Sequence, residues 1–191
     1  MHRLIIIGAG GHAKSCIDVI ECEKKYKILG LVDKNKIKKL GAYKILANDS
    51  SLDKIKILSK NAFIGIGQIK SANLRKKMFL KLKKIGFNLP VIKSPHSYIS
   101  KNSSIGEGTI IMHGAYIGPN VKIGKNCIIN NYSHLEHDCQ IGDNSHISTR
   151  VVLNGSVIVG NETFIGSGTI VKENIKIKKK SIIKFGSLIN K

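Results

Sequence analysis

A chain of 191 residues has room for one large domain or two small ones. Its 32 basic residues against 12 acidic leave a net charge of +20, a balance that first suggests nucleic acid. The lysines are spread over both halves, however, and the five Phe and five Tyr form no stacking platform among them. That pattern argues against a nucleic-acid partner and for solvated lysine with attraction to small polyanions. A peripheral association with an anionic membrane surface stays open.

Arg3 to Ile7 reads as a buried parallel strand, running into GAGGHA at residues 8–13. A helical segment, AKSCIDVIECEK, and a second strand, KILGLV, follow, and Asp33 closes the unit. This is a βαβ motif with glycines at its first turn. Gly8 permits the sharp turn, Gly10 lets the backbone approach a phosphate, and Ala13 allows the helix to lie close on the strand. The free N–H groups at the helix start suit an anion, and Asp33 stands where such folds place a ribose-binding carboxylate. A purely structural Gly-rich turn is the competing reading. His12 is either a phosphate contact or a surface residue.

Residues 34–60 are lysine-rich and yield no firm assignment. AFIGIG, residues 62–67, reads as a further strand ending in a Gly turn at Gly67. Ser71 is a candidate cap for a helix through Lys84, whose Leu74, Met78, Leu82 and Ile85 recur at helical spacing. Phe87 to Ile92 reads as a last strand of this domain, which is too small for a complete two-half dinucleotide fold.

From Ile99 to Ile189 every sixth residue is aliphatic, sixteen in all with no insertion. The residue four further on is small or β-branched throughout, as at Ala115, Cys127, Cys139 and Val157. A period of six fits neither an amphipathic helix nor an alternating strand. It fits short rungs joined by corners, three to a coil, so that residues eighteen apart stack at roughly 4.8 Å. The position directly after each aliphatic is often Gly or Asn, which suggests that tight corners fall there. The expected fold is therefore α/β plus all-β: a small Rossmann-like domain over residues 1–93, then a parallel β-helix over 94–191. About five coils are expected, with outward apolar residues such as Ile128, Val152 and Phe164 needing cover.

Cys16, Cys22, Cys127 and Cys139 form no CxxC pair, and two of them take inward solenoid positions. They read as core thiols of a reducing compartment, without a disulfide frame or a metal site. The single N-terminal apolar run is too short for a signal peptide or a membrane span, so the expected location is cytoplasmic.

The solenoid breaks its own pattern at NNYSHLEHDCQIG, residues 130–142. Glu136 takes the position that favours Gly, and His137 and Asp138 follow. His137 falls one coil above Pro119 and one below Gly155, whose lack of a side chain leaves room beside the imidazole and exposes an N–H. A histidine is suited to take a proton near neutral pH, and an adjacent carboxylate can orient it. His134 reads as decoration of a solvated corner. Zinc is disfavoured because the histidines sit on different rungs with no thiolate facing them.

GAGGHA joined to a hexapeptide solenoid carrying LEHDCQIG and VVLNG resembles the NeuD/PglD-type sugar acetyltransferases over nearly the whole chain. The resemblance implies a left-handed β-helix, a homotrimer, and acetyl-CoA as co-substrate. It implies His137 as general base with Asp138 beside it, and Asn130 and His146 near the acceptor sugar. Gly10, Gly11, His12, Asp33 and Gly67 would bind the nucleotide sugar, and Gly155 would touch the thioester. Members commonly add a Gly-x-Pro-Ala-Lys-like segment that encloses the coenzyme. The last residues here carry none, and have Lys178 and Lys184 at corner positions.

The expected activity is acetyl transfer to an amino group of a UDP-linked sugar, in surface-glycan or nonulosonic-acid biosynthesis. O-acetylation of a sialic-acid-like sugar is the nearest alternative. A nicotinamide-dependent oxidoreductase, prompted by the Gly turn and Asp33, gives no account of the hexads. A non-catalytic binding scaffold is the remaining class.

Overall fold

The computed structural model describes residues 1–35 and 38–191 and divides into two compact units. The first comprises residues 1–67 and 73–90; the second comprises 68–72 and 91–191.

In the first unit β1 (His2–Ile7) leads into α1 (Gly11–Glu23), and β2 (Tyr26–Val32) follows. The lysine-rich stretch holds β3 (Lys39–Leu40) and β4 (Tyr43–Ala47), then a 3₁₀ turn and the short α2 (Leu52–Ile55). The strand β5 (Ala62–Ile64) and the helix α3 (Asn73–Ile85) complete it. The sheet order is β3-β4-β2-β1-β5, parallel except for the β3–β4 hairpin. β1 therefore lies in the interior, which is why Leu4 to Ile7 can all be apolar and fully buried.

Three expectations for this unit need correction. α3 begins at Asn73, and its buried face is Arg75, Met78, Phe79 and Leu82, while Leu74 is exposed. The wholly buried Arg75 was concealed in the sequence by its charge. Its guanidinium donates to the carbonyls of Ile64 and Ile66, which makes the burial tolerable. Phe87 to Ile92 is not a strand of this sheet: Asn88 makes one bridge to Asn61, and Ile92–Lys93 pairs with Ile110–Ile111 as the first rung of the solenoid.

The second unit is a left-handed parallel β-helix. Two-residue rungs stack into three sheets of six, six and five strands among the described residues. On the first face Ile110–Ile111 lies below Ile128–Ile129 and His146–Ile147. Tyr116–Ile117, His134–Leu135 and Val152–Leu153 lie on the second face, and Lys122–Ile123 and Gln140–Ile141 on the third. Every pairing joins residues eighteen apart, as the period demands. The inward aliphatics from Ile111 to Ile177 form one buried column with Ala115, Cys127, Cys139 and Val157. Each fully buried aliphatic contributes roughly 1.5–3 kcal/mol over an exposed one.

The corner geometry differs from the sequence expectation. Left-handed backbone occurs not directly after the aliphatic but two residues further on, at Asn120, Asn126, Tyr132, Asp138 and Asn144 among others. The glycines directly after the aliphatics answer a different need. A Cβ at Gly124 would stand 2.7 Å from the amide nitrogen of Asp143, so the coils could not close on one another. Ile128 is buried within the chain, and Phe164 rests edge-on against His146, so neither is an open apolar face. No helix among the described residues is long and apolar enough to cross a membrane.

Candidate active site

The left-handed residue of the corner between the second and third faces is Asp138, with φ +61°. Aspartate and asparagine tolerate this region better than other residues with a Cβ. The turn places its carboxylate beside the preceding side chain: the Nδ1–H of His137 donates to Asp138 Oδ2 at 2.8 Å. That fixes the neutral tautomer with Nε2 as the bare, basic nitrogen. The imidazole is more than half exposed and faces the coil above. The hydrogen bond from His137, and then one from Asn120, hold the Asp138 carboxyl below the usual carboxylate range. Asp138 therefore stays charged wherever the imidazole can act as a base.

Gly155 lies against the ring, and the carbonyl of His137 accepts the amide of Ser156. The third-face side of this corner opens into a cavity of about 350 Å³ lined by Asn102, Asn120, Lys122, Asp138 and Gln140.

Of the two carboxylates flanking His137, only Asp138 reaches it. Glu136 Oε1 instead accepts from His134 Nε2 at 2.9 Å, and the His134 ring stacks on Tyr116 at 4.4 Å between centroids. Tyr116 in turn stacks on Tyr98 at 5.0 Å. His134 is thus part of an aromatic ladder rather than loose decoration.

Asn130 and His146 come together where the first face turns toward the second, His146 on the rung and Asn130 just past it, one full rung from His137. His146 is buried, and its Nδ1–H donates to the carbonyl of Gln68. Its Nε2 must then accept, and the side-chain amide of Asn130 donates to it at 3.2 Å. Asn130 Oδ1 is taken by the amide of Asn131. With both ring nitrogens engaged, His146 is held in one orientation and is not a free base. Gln68, which also donates to the carbonyl of Asn144, gave no sequence signal because it lies 78 residues from His146.

In the first unit the Gly-rich turn is shaped as expected. Gly8 has φ +100°, and a Cβ there would meet Ile66 at 2.7 Å. Side chains at Gly10 and Gly11 would project into open space, which is room for a ligand at the start of α1. Gly10, at the N-cap, has no side chain with which to cap that helix start. Gly67 lies against His12, with a Cβ placed 3.2 Å from the histidine's Cβ, although β5 ends three residues earlier. The Asp33 carboxylate accepts the amide of Ala9 at 2.7 Å through Oδ2 and that of Asn35 at 2.7 Å through Oδ1. It braces the turn, and each oxygen keeps a further lone pair for a ligand. Beside it lies a cavity of about 590 Å³, rimmed by Lys34, Lys38, Lys39 and Lys44 over a floor of Ile45, Leu46 and Ala47.

Residues 3–82 match the PglD N-terminal domain family, and residues 102–135 and 120–155 match the bacterial transferase hexapeptide (six repeats). No curated protein sequence matches the chain. Its fold is similar to PerB from Caulobacter crescentus, solved with CoA and GDP-perosamine. That match has 23% identity, covers 93% of this chain and 92% of that one, and has a TM-score of 0.77. The acetyltransferase domain of PglB from Neisseria gonorrhoeae, solved with acetyl coenzyme A, is similar at 19% identity, 94% coverage of each chain and a TM-score of 0.76. WeeI from Acinetobacter baumannii is similar at 21% identity, covering 93% of this chain and 94% of its own, with a TM-score of 0.68. The chain thus joins a match to the PglD N-terminal domain with two overlapping matches to the bacterial transferase hexapeptide, on a fold shared with these structures.

Proposed function

We propose that this protein transfers the acetyl group of acetyl-CoA to an amino group of a UDP-linked sugar. The observation that carries the reading is the His137–Asp138 pair, with a bare Nε2 facing the space left by Gly155, on a transferase solenoid. Similar folds have been solved with CoA, acetyl coenzyme A and GDP-perosamine, which supports the same ligand classes here. The first unit, residues 1–67 and 73–90, is proposed to hold the acceptor's nucleotide. Gly10, Gly11, His12 and Gly67 would surround its phosphates, and Asp33 would keep the turn in shape.

In this mechanism the amine nitrogen attacks the thioester carbonyl carbon, and its proton passes to Nε2 of His137. Asp138 stabilises the imidazolium that forms. The N–H of Gly155 is proposed to donate to the oxyanion. The tetrahedral intermediate then collapses, the C–S bond breaks, and the departing sulfur takes up a proton. The products are an acetamido sugar and free coenzyme A.

His146 lies on the first face and Asn130 at its end, one rung away from the His137 corner, which supports a site completed by a second chain. The outer second face, with Tyr98, Tyr116, Ile170 and Leu188 partly or largely exposed, offers the surface for such packing. A homotrimer in the cytoplasm is the assembly proposed.

The test is thiol release from acetyl-CoA with a UDP-linked 4-amino sugar, GDP-perosamine and free sialic acid, with mass spectrometry of the products. Acetylation of an amine on a nucleotide sugar is the expected result. A product acetylated on a hydroxyl of the free acid would replace it with O-transfer, and no thiol release with any of them would remove the transferase reading.

A further inference from the structure

We infer that Asn120 is a positioning residue for the His137–Asp138 pair, holding one carboxylate oxygen so that the other stays on the imidazole. The inference rests on the proposed role of His137 as base.

Asn120 occupies the same corner slot as Asp138, one coil below, and both have left-handed backbone, φ +58° and +61°. The amide of Asp138 donates to the carbonyl of Pro119 at 2.9 Å, which sets the spacing of the two coils. Across it, Asn120 Nδ2 donates to Asp138 Oδ1 at 3.2 Å. Asp138 is thus held from two sides, by Asn120 through Oδ1 and by His137 through Oδ2. Its side chain is 49% exposed, and these two are the side-chain hydrogen bonds that hold it among the described residues.

The slot has a built-in direction. At the next corner Asn126 Nδ2 donates to Asn144 Oδ1 at 2.9 Å, again from one coil to the residue eighteen further on. An asparagine here therefore projects its amide toward the coil above. At residue 120 what it meets is the carboxylate that orients the base. The bond also lowers the Asp138 carboxyl, after the larger contribution of His137.

The remaining charged groups near the pair do not substitute for Asn120. Lys122 lines the cavity on the third-face side, together with the uncharged Asn102 and Gln140. Glu136 is occupied by His134. The coil above presents Asn154, Gly155 and Ser156, none of them titratable.

The competing explanation is that Asn120 serves only to accept left-handed backbone. Two variants separate the roles, because Gly and Asp both tolerate that conformation. Asn120→Gly removes the donor without straining the corner, and Asn120→Asp keeps the shape but sets a carboxylate against a carboxylate.

The first readout is the ¹³Cγ titration of Asp138 in the substrate-free, full-length protein. It should move to higher pH in Asn120→Gly, and further in Asn120→Asp, where two carboxylates share one site. The second is turnover of acetyl-CoA with a UDP-linked 4-amino sugar. Here kcat should fall about three- to ten-fold in Asn120→Gly, the worth of one hydrogen bond, with both KM values unchanged. An unmoved Asp138 titration, or a loss of kcat that only follows a fall in Tm, would overturn the inference. Full turnover by His137→Ala would instead remove the base assignment, while the Asp138 titration would still report whether Asn120 holds the carboxylate.

Discussion

Gly155 lies directly against the imidazole of His137: a Cβ on the glycine would stand 2.6 Å from both Cε1 and Nε2. No real side chain tolerates that approach to a ring, so an alanine must push the imidazole off its line. The backbone of Gly155 is not in the left-handed region, and the three atoms nearest such a Cβ all belong to the His137 ring. Gly155→Ala should therefore keep the fold and its Tm while kcat falls by ~10², the cost of displacing a reacting group by about an ångström. Steady-state kinetics beside a thermal melt checks this, and unchanged kcat would show that Nε2 is not the working atom.

Replacing the base itself should cost more. His137→Ala is expected to lower kcat by ~10²–10⁴ while both substrates still bind. Asp138→Asn should cost less, because the imidazole remains and only its orientation is loosened. Asp138, held below the usual carboxylate range, keeps its charge down to acid pH, so the pH–rate profile should carry no limb from its titration in the ordinary carboxylate range. A limb in the carboxylate range instead would point to a different base.

The Gly-rich turn yields a contrast between neighbours. A side chain at Gly11 meets nothing within 4 Å, so Gly11→Val should leave stability near that of the parent. It would fill the space before α1, and the KM for the nucleotide sugar should rise with little change in acetyl-CoA affinity. Gly8→Val combines an unfavourable φ of +100° with contact on Ile66, and should lower Tm instead. A nucleotide-sugar KM that ignores Gly11→Val would separate the turn from acceptor binding.

The thiols should divide by burial. Desolvation pushes Cys16 up to about 12 and Cys139 up to about 11, and Cys127 has no exposed surface. Thiolate is the reactive form, so these three should resist iodoacetamide at pH 8 in the folded protein and react once it is denatured. Peptide mapping should find native labelling confined to Cys22, which is partly exposed. Rapid native labelling of Cys139 would mean that the coil below Gly155 opens.

The solenoid was legible because its cause is one-dimensional. Stacking at a fixed period repeats each local requirement every eighteen residues, so Ile117, Leu135 and Leu153 announce themselves in the sequence. Which residue bends the corner was not legible, since Gly124 and Asn126 are both residues of turns and only geometry tells close approach from left-handed backbone. The pairing of Glu136 with His134 instead of His137 escaped for a related reason: residues two apart on a rung share a face, while those beside them turn the corner. Arg75 and Gln68 were hidden because their partners, backbone carbonyls on other segments, have no side-chain signature.

The eighteen-residue register also sets the unit in which this protein can change length. Removing a whole coil above Ser156 would shorten the prism and leave everything below in place. Removing six residues between His137 and Gly155 would rotate all later faces by a third of a turn. A different corner would then cover the imidazole, although every inward aliphatic would still find an aliphatic beneath it. The core cannot detect such an error; only the chemistry at the corner can. Homologues that keep the activity should therefore differ in this stretch by whole coils or not at all, while the hydrophobic column alone would accept any multiple of six.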